Sequence, residues 1–233
     1  MKYKNVVEGI FIKRNNRFVA EVYIQGKREQ VHVKNTGRCR ELFIEGRRVY
    51  LEKSANPNRK TAYDLIAIEK VELAFGNQWI NIDSVVPNAV VEEAIRQGSI
   101  EALKDFTLLK REVTHGKSRF DLYYENGGQK GYIEVKGVTL EKEGISMFPD
   151  APTVRGAKHC RELAALQEEG YRNFIVFLVQ MEGIGEFVPN EEMDPSFAGA
   201  LREAQKQGVV VCAYNSIIKK DDITIGDPIR TIL

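Results

Sequence analysis

The stretch Ser118–Lys136, SRFDLYYENGGQKGYIEVK, contains the residue types that a metal-dependent phosphodiesterase centre needs. Asp121 sits in the first of two strand-like runs, Asn126-Gly127-Gly128 reads as the turn between them, and Glu134 and Lys136 close the second. Residues two apart on a strand share a face, so Glu134 and Lys136 project together while Ile133 and Val135 point to the core. A hairpin turning at 127–128 sets residue 121 across from residue 134, with Cβ atoms roughly 4.5–5.5 Å apart. Two carboxylates that close repel each other unless a cation lies between them. Mg²⁺ or Mn²⁺ is the natural occupant, because hard divalent ions take carboxylate, carbonyl and water oxygens. The candidate ligands are therefore Asp121, Glu134 and Val135. Such an ion polarises a phosphoryl oxygen and lowers the pKa of a bound water. Lys136 would orient or deprotonate that water, and Glu112 is a candidate supporting ligand or base. The competing reading is a solvated strand face beside an unrelated surface acid, and Glu-x-Lys spacing alone does not separate the two.

These residues need a frame to hold them. From Ser84 onward helical and strand patterns alternate. Helices are expected over 89–95, stopped by Gly98, and from a Ser99 cap to Leu103. Strands follow near 108–113, 118–125 and 131–136, then a helix over about 155–169, a strand over 173–181, a helix over about 195–207 and a strand over 209–214. The apolar runs Phe174–Val179 and Val209–Ala213 suit doubly covered strands of an α/β sheet. Before Ser84, about five strands separated by turns and little helix indicate a small barrel of OB type. The expected fold class is thus α/β (α+β): an OB-like barrel over 1–83, then a mixed-sheet α/β domain over 84–233.

Composition narrows the function classes. Hydrophobic residues at 43% and charged residues at 29% describe a soluble globular chain with a real core. Cys39, Cys160 and Cys212 have neither pairing arithmetic nor Cys-x-x-Cys spacing, so inert thiols in a reducing cytoplasm are expected and structural zinc is not. No window approaches the ~20 apolar residues of a membrane span. Net charge is only +1, yet residues 1–83 carry +6 and residues 84–233 carry −5. A basic module delivering a polyanion to an acidic, metal-holding one fits that asymmetry. Candidate phosphate contacts in the basic part are Arg14, Arg17, Asn35, Arg38 and Arg47, and the aromatics Phe11, Phe18, Tyr23, Tyr50 and Tyr63 could stack bases. Around the carboxylates the candidates are Arg119, Arg155, Lys158 and His159, the last three in the first turns of a helix capped by Thr153. Asp150 is either a further acidic ligand or a turn residue. No Gly-rich phosphate loop supports a small phosphorylated ligand.

Five runs, in order along nearly the whole chain, carry a family resemblance: Asn35-Thr36-Gly37, SRFD (118–121), IEVKGVTL (133–140), FPDAPTVRG (148–156) and KHCREL (158–163). Together they resemble the sugar fermentation stimulation protein A family. The resemblance implies an N-terminal OB-like domain and a C-terminal domain similar to PD-(D/E)xK nucleases. Asp121 then stands for the motif's Asp, and Glu134 and Lys136 for its (D/E)xK. Phe120 occupies the place where the generic motif often has Pro. The resemblance also implies DNA binding linked to regulation of sugar metabolism, with nuclease activity inferred from fold. Two functions stay open at this level: an Mg²⁺- or Mn²⁺-dependent nuclease, and a DNA-binding regulator that keeps the nuclease fold without turnover. A homodimer is a candidate assembly for either.

Overall fold

The computed structural model describes residues 1–35, 37–73 and 76–233, and of residues 72 and 73 the backbone alone. Thr36, in the first of the five runs, lies outside the described residues. Strands β1 (Val6–Arg14), β2 (Val19–Ile24), β3 (Lys27–Val33), β4 (Arg48–Lys53) and β5 (Tyr63–Leu73) form a closed barrel. β1 pairs antiparallel with β2 and β4, β2 with β3, and β4 with β5. A short parallel contact of β3 with β5, at His32↔Asp64 and Val33↔Leu65, closes the circle. This is OB connectivity. Ala20, Val22 and Ile24 point inward from β2, following the period of two. The β2–β3 turn falls on Gln25-Gly26. Both have positive φ, 50° and 79°, as a type I′ hairpin requires. A sixth strand, β6 (Gly76–Asn81), pairs with β5 outside the circle.

The second sheet begins after α1 (Val86–Arg96). This helix starts before the expected Ala89, because Pro87 fits its first turn, where no N–H partner is lost. The expected second helix is a single 3-10 turn, Glu101–Leu103, whose N-cap is Ile100 and not Ser99. The strands in chain order are β7 (Leu108–His115), β8 (Ser118–Asn126), β9 (Gln129–Val138), β10 (Leu140–Lys142), β11 (Ile145–Phe148), β12 (Phe174–Val179), β13 (Glu186–Pro189), β14 (Val210–Lys219) and β15 (Asp222–Thr231). Helix α2 (Val154–Glu168) precedes β12, and α3 (Pro195–Lys206) precedes β14. The spatial order is β10-β11-β13-β15-β14-β12-β9-β8-β7.

Every residue of β12 is buried, and the strand runs parallel to both neighbours, β9 and β14. Phe174, Val176 and Leu178 pack in the core that contains α1, while Ile175, Phe177 and Val179 pack in the core that contains α2 and α3. The run at 209–213 is less deeply covered than expected, since Val210, Val211 and Cys212 are half-buried. Strands β10, β11, β13 and β15 fall outside the sequence expectation. The first three are too short for periodicity, and β15 carries Gly226 and Pro228, which read as breakers.

Barrel and sheet meet through buried amides. Asn81 N–H donates to the Gln180 carbonyl (3.0 Å), and Gln180 Nε2 donates to Asn81 Oδ1 (2.9 Å) and the Asp83 carbonyl (3.0 Å). Asn81 Nδ2 also donates to the Tyr3 hydroxyl at 2.9 Å. Lys70 of β5 pairs with the buried Glu141 of β10 at 2.5 Å. Among the described residues, no helix is long and apolar enough to cross a membrane.

The barrel's closure rests on Asp64. Its carboxylate accepts two bonds from Arg59 (2.8 and 2.7 Å) and one from His32 Nδ1 (2.9 Å), with Lys34 at 3.8 Å. Burial pushes its pKa up, but the Arg59 and His32 hydrogen bonds and the Lys34 charge outweigh burial and hold it below the usual value. A depressed folded-state pKa contributes stability above the unfolded-state value of about 3.9, and that stability is lost as pH falls through the folded value. Asp64→Ala is expected to destabilise the protein by about 3 kcal/mol at pH 7 in urea titrations. The gap to wild type should narrow as pH drops below about 4.

Candidate active site

The β8–β9 hairpin turns on Gly127-Gly128, both with positive φ (54° and 92°), a backbone that glycine adopts without Cβ strain. Its ladder pairs Asn126↔Gln129, Tyr123↔Tyr132 and Leu122↔Ile133. One further step in this register sets Asp121 against Glu134, as the turn position predicts. The ladder stops at Leu122, and there the Asp121 side chain takes over. Its Oδ2 accepts the Val135 N–H at 2.8 Å, and its Oδ1 accepts from Asn88 Nδ2 at 2.8 Å. Asn88 therefore ties the first turns of α1 to this carboxylate. Its place beside Pro87 in a turn-like segment hid that contact from sequence reasoning.

Glu134 lies on the face of β9 that α2 covers and is only 3% exposed. A solvated strand face is thereby excluded. Thr153 caps α2 as expected, accepting from Gly156 N–H at 3.0 Å, and the helix turns His159 and Cys160 toward the sheet. Glu134 Oε1 receives His159 Nδ1 at 2.6 Å and Lys136 Nζ at 2.5 Å. Arg155 Nε–H points at His159 Nε2 from 3.4 Å, which makes Nε2 the acceptor and leaves the ring proton on Nδ1. The other oxygen, Glu134 Oε2, is buried without a hydrogen-bond partner. Burial raises the Asp121 pKa and the nearby Glu134 charge adds to it. Burial also works against the charged form of Glu134, but the His159 hydrogen bond and the Lys136 charge prevail and lower its pKa. Two carboxylates in one site are thus pushed apart in pKa.

Several expected contacts lie elsewhere. Glu112 is at the register position opposite Asp121, but with a φ of 54° it turns to the exposed Arg119, 2.8 Å away. It makes no hydrogen bond to Asp121 or Glu134. The Arg14 guanidinium is spent on the backbone, donating to the carbonyls of Arg17, Asn35, Gly37 and Arg38 and lying over the Phe43 ring. Asn35 is buried, its amide donating to the Ile82 carbonyl and accepting from Gly37 N–H. His159 is buried too, so it serves Glu134 rather than a phosphate. Arg47 is half-buried, whereas Arg17 and Arg38 are exposed and, with Arg40, line a hollow of about 240 Å³. Arg155 and Lys158 are exposed at the start of α2, the latter 3.5 Å from Glu162. Phe18 and Tyr23 are exposed, but Phe11 is core and Tyr50 stacks on Trp79. Asp150 lies against Gly37 and Cys39, not with the carboxylate pair.

Those residues that do converge bring together two carboxylates, Asp121 and Glu134, with Lys136 and His159 on the latter. The bare Glu134 Oε2 and the raised Asp121 pKa fit a missing positive charge. Among the described residues no group of three or more His, Cys, Asp or Glu is arranged for a metal, so carbonyl or water oxygens would complete the shell.

A barrel of OB connectivity joined to a mixed sheet with a carboxylate–lysine site defines a two-domain class, and comparison with known proteins agrees. Residues 12–82 match the model described as the SfsA N-terminal OB domain, and residues 85–222 match the sugar fermentation stimulation protein RE domain. A sugar fermentation stimulation protein homolog of Alkaliphilus oremlandii is 55% identical over 232 residues, 97% of each chain. One of Clostridium novyi is 50% identical over 234 residues, with both chains covered in full. The structure of Pyrococcus furiosus SfsA in complex with Ca²⁺ aligns with a TM-score of 0.89 at 30% identity, covering 100% of this chain and 98% of that one. The chain belongs to the SfsA family.

Replacing His159 by Phe removes one donor from a carboxylate that already has a bare oxygen. The metal-free variant is expected to lose about 1–3 kcal/mol in urea denaturation. No loss would mean that the His159–Glu134 contact carries no net stabilisation.

Proposed function

We propose that the protein is a DNA-binding nuclease that hydrolyses phosphodiester bonds with a divalent metal, Mg²⁺ or Mn²⁺. The observation that carries this reading is the buried, unpartnered Oε2 of Glu134 beside Asp121, whose carboxyl is held toward its neutral form without a cation. Asp121, Glu134 and the Val135 carbonyl would hold the ion. When bound, it would supply Lewis-acid polarisation of the phosphoryl oxygen and a water of lowered pKa. The Ca²⁺ in the Pyrococcus furiosus relative supports a divalent cation in this family.

The chain's own residues do the rest. Asn88 and the Val135 N–H fix the two oxygens of Asp121, and His159 fixes Oε1 of Glu134, so neither carboxylate must reorganise to bind. Lys136 holds its ammonium against Glu134 and can pass to the attacking water or to the phosphate once a cation shares that carboxylate. Arg155 at the rim is placed to bind a phosphate, and the exposed Arg17 and Arg38 offer the strand a basic track on the barrel side.

Calorimetric titration of Mn²⁺ into the protein is expected to give saturable binding that Asp121→Ala and Glu134→Ala abolish. Lys136→Ala should keep metal binding while slowing cleavage of DNA by about 10²–10⁴-fold. Cleavage that survives Glu134→Ala unchanged would refute the assignment. Metal-independent DNA binding with no cleavage of single-stranded, duplex or branched substrates would favour a regulator instead.

A further inference from the structure

Three of the five motif runs meet in a cavity that the carboxylate pair does not use. Asn35 and Gly37 from the barrel loop, Gly137 and Thr139 from the extension of β9, and Asp150 from the loop before α2 line it with Ser84 and Gln180. It encloses about 170 Å³, room for about five waters, which suits a single heterocyclic ring and excludes a base pair. It adjoins the catalytic strand, since Gly137 follows Lys136 directly.

The walls are held by hydrogen bonds that occupy most of their side-chain donors. Asn35 Nδ2 donates to the Ile82 carbonyl, Ser84 Oγ to the Lys34 carbonyl (2.6 Å), and Gln180 Nε2 to Asn81 Oδ1 and the Asp83 carbonyl. Two glycines allow the close fit. A Cβ on Gly37 would meet Asp150 Oδ2 at 2.4 Å, and one on Gly137 would meet Gln180 Oε1 at 2.4 Å. What remains for a ligand is a set of acceptors, the Asp150 carboxylate and Gln180 Oε1, with the Thr139 hydroxyl. Among the described residues, the donor on Asp150 Oδ2 is the Cys39 thiol, a weak one at 4.0 Å. Gly37 also lines the arginine hollow containing Arg17, Arg38 and Arg40, so an anionic strand could run from that hollow into the cavity.

We propose that this cavity seats one unpaired base of a single-stranded DNA segment and selects bases that present an amino group over thymine. Cytosine, adenine and guanine each offer exocyclic N–H donors to Asp150 and Gln180. Thymine offers one imide N–H flanked by two carbonyls that the same acceptors repel. A base must leave its stack to enter, so unpaired strands are the form that binds. The proposal rests on the nucleic-acid reading above but needs no turnover.

The test is fluorescence anisotropy on metal-free protein with labelled thymine tracts, with and without one central cytosine. Wild type is expected to prefer the cytosine-bearing tract roughly tenfold, and Asp150→Asn, checked for folding by thermal unfolding, to bring the ratio toward one. A 2-aminopurine at the central position should change its emission on binding wild type, a readout independent of any variant. Equal wild-type affinity for the two tracts, or an unchanged ratio in folded Asp150→Asn, overturns the cavity proposal and leaves the carboxylate site to the Mn²⁺ titration. Competition by free dCMP at the strand's own affinity overturns the strand-borne version. Absence of binding to every strand overturns this proposal and the nucleic-acid reading together.

Discussion

The site depends on a carboxylate placed where solvent cannot reach it. Glu134 is on β9, which runs between β12 and β8 in the second sheet, under a helix that contributes a histidine to one of its oxygens and nothing to the other. An ionised carboxylate buried with one bare oxygen is unfavourable unless something offsets it. In the metal-free protein, His159 and Lys136 do so from one side, while burial and the Glu134 charge raise the pKa of the neighbouring Asp121. On the proposed reading, a bound cation would offset both penalties at once. Asn88, Val135 and His159 set the directions of the carboxylate oxygens before any ion arrives.

The frame follows from the same economy of polar groups. The barrel sits on the sheet through Asn81, Asp83, Gln180 and Tyr3, a buried network in which the Asn81 amide and the Gln180 Nε2 are matched. Across that seam, Asn35 and Gly37 lie beside Gly137 and Thr139 at the end of β9. Arg14 illustrates the outcome: its guanidinium, at the end of β1, holds the carbonyls of Asn35, Gly37 and Arg38 and that of Arg17 in the β1–β2 turn, and Arg17 and Arg38 are the ones presented to solvent. Gly37 and Gly137 let the barrel loop and β9 approach their neighbours to distances no Cβ would permit.

Much of this was legible in the sequence, and the failures have physical causes. The 121–134 register followed from a Gly-Gly turn with period-2 strands, and the uniformly apolar run at 174–179 announced a doubly covered strand. The burial of Glu134 did not follow, because it depends on which face α2 covers, a long-range packing fact. Glu112, Arg14, Asn35 and His159 have the right chemistry for ligands or phosphate contacts. Their actual partners are set by a positive φ, by loop carbonyls and by a helix face, none of which is written locally. Asn88 escaped notice for the same reason. The short strands β10, β11 and β13 form because they pair with one another and with β15, and no three- or four-residue segment carries enough pattern to declare that.

The most direct measurement is anomalous scattering from crystals of the protein soaked in Mn²⁺. The account predicts a single peak between the two carboxylates, with Glu134 Oε2 and an Asp121 oxygen as ligands at about 2.1 Å. A peak liganded elsewhere, or none while Glu134 Oε2 stays bare, would contradict it.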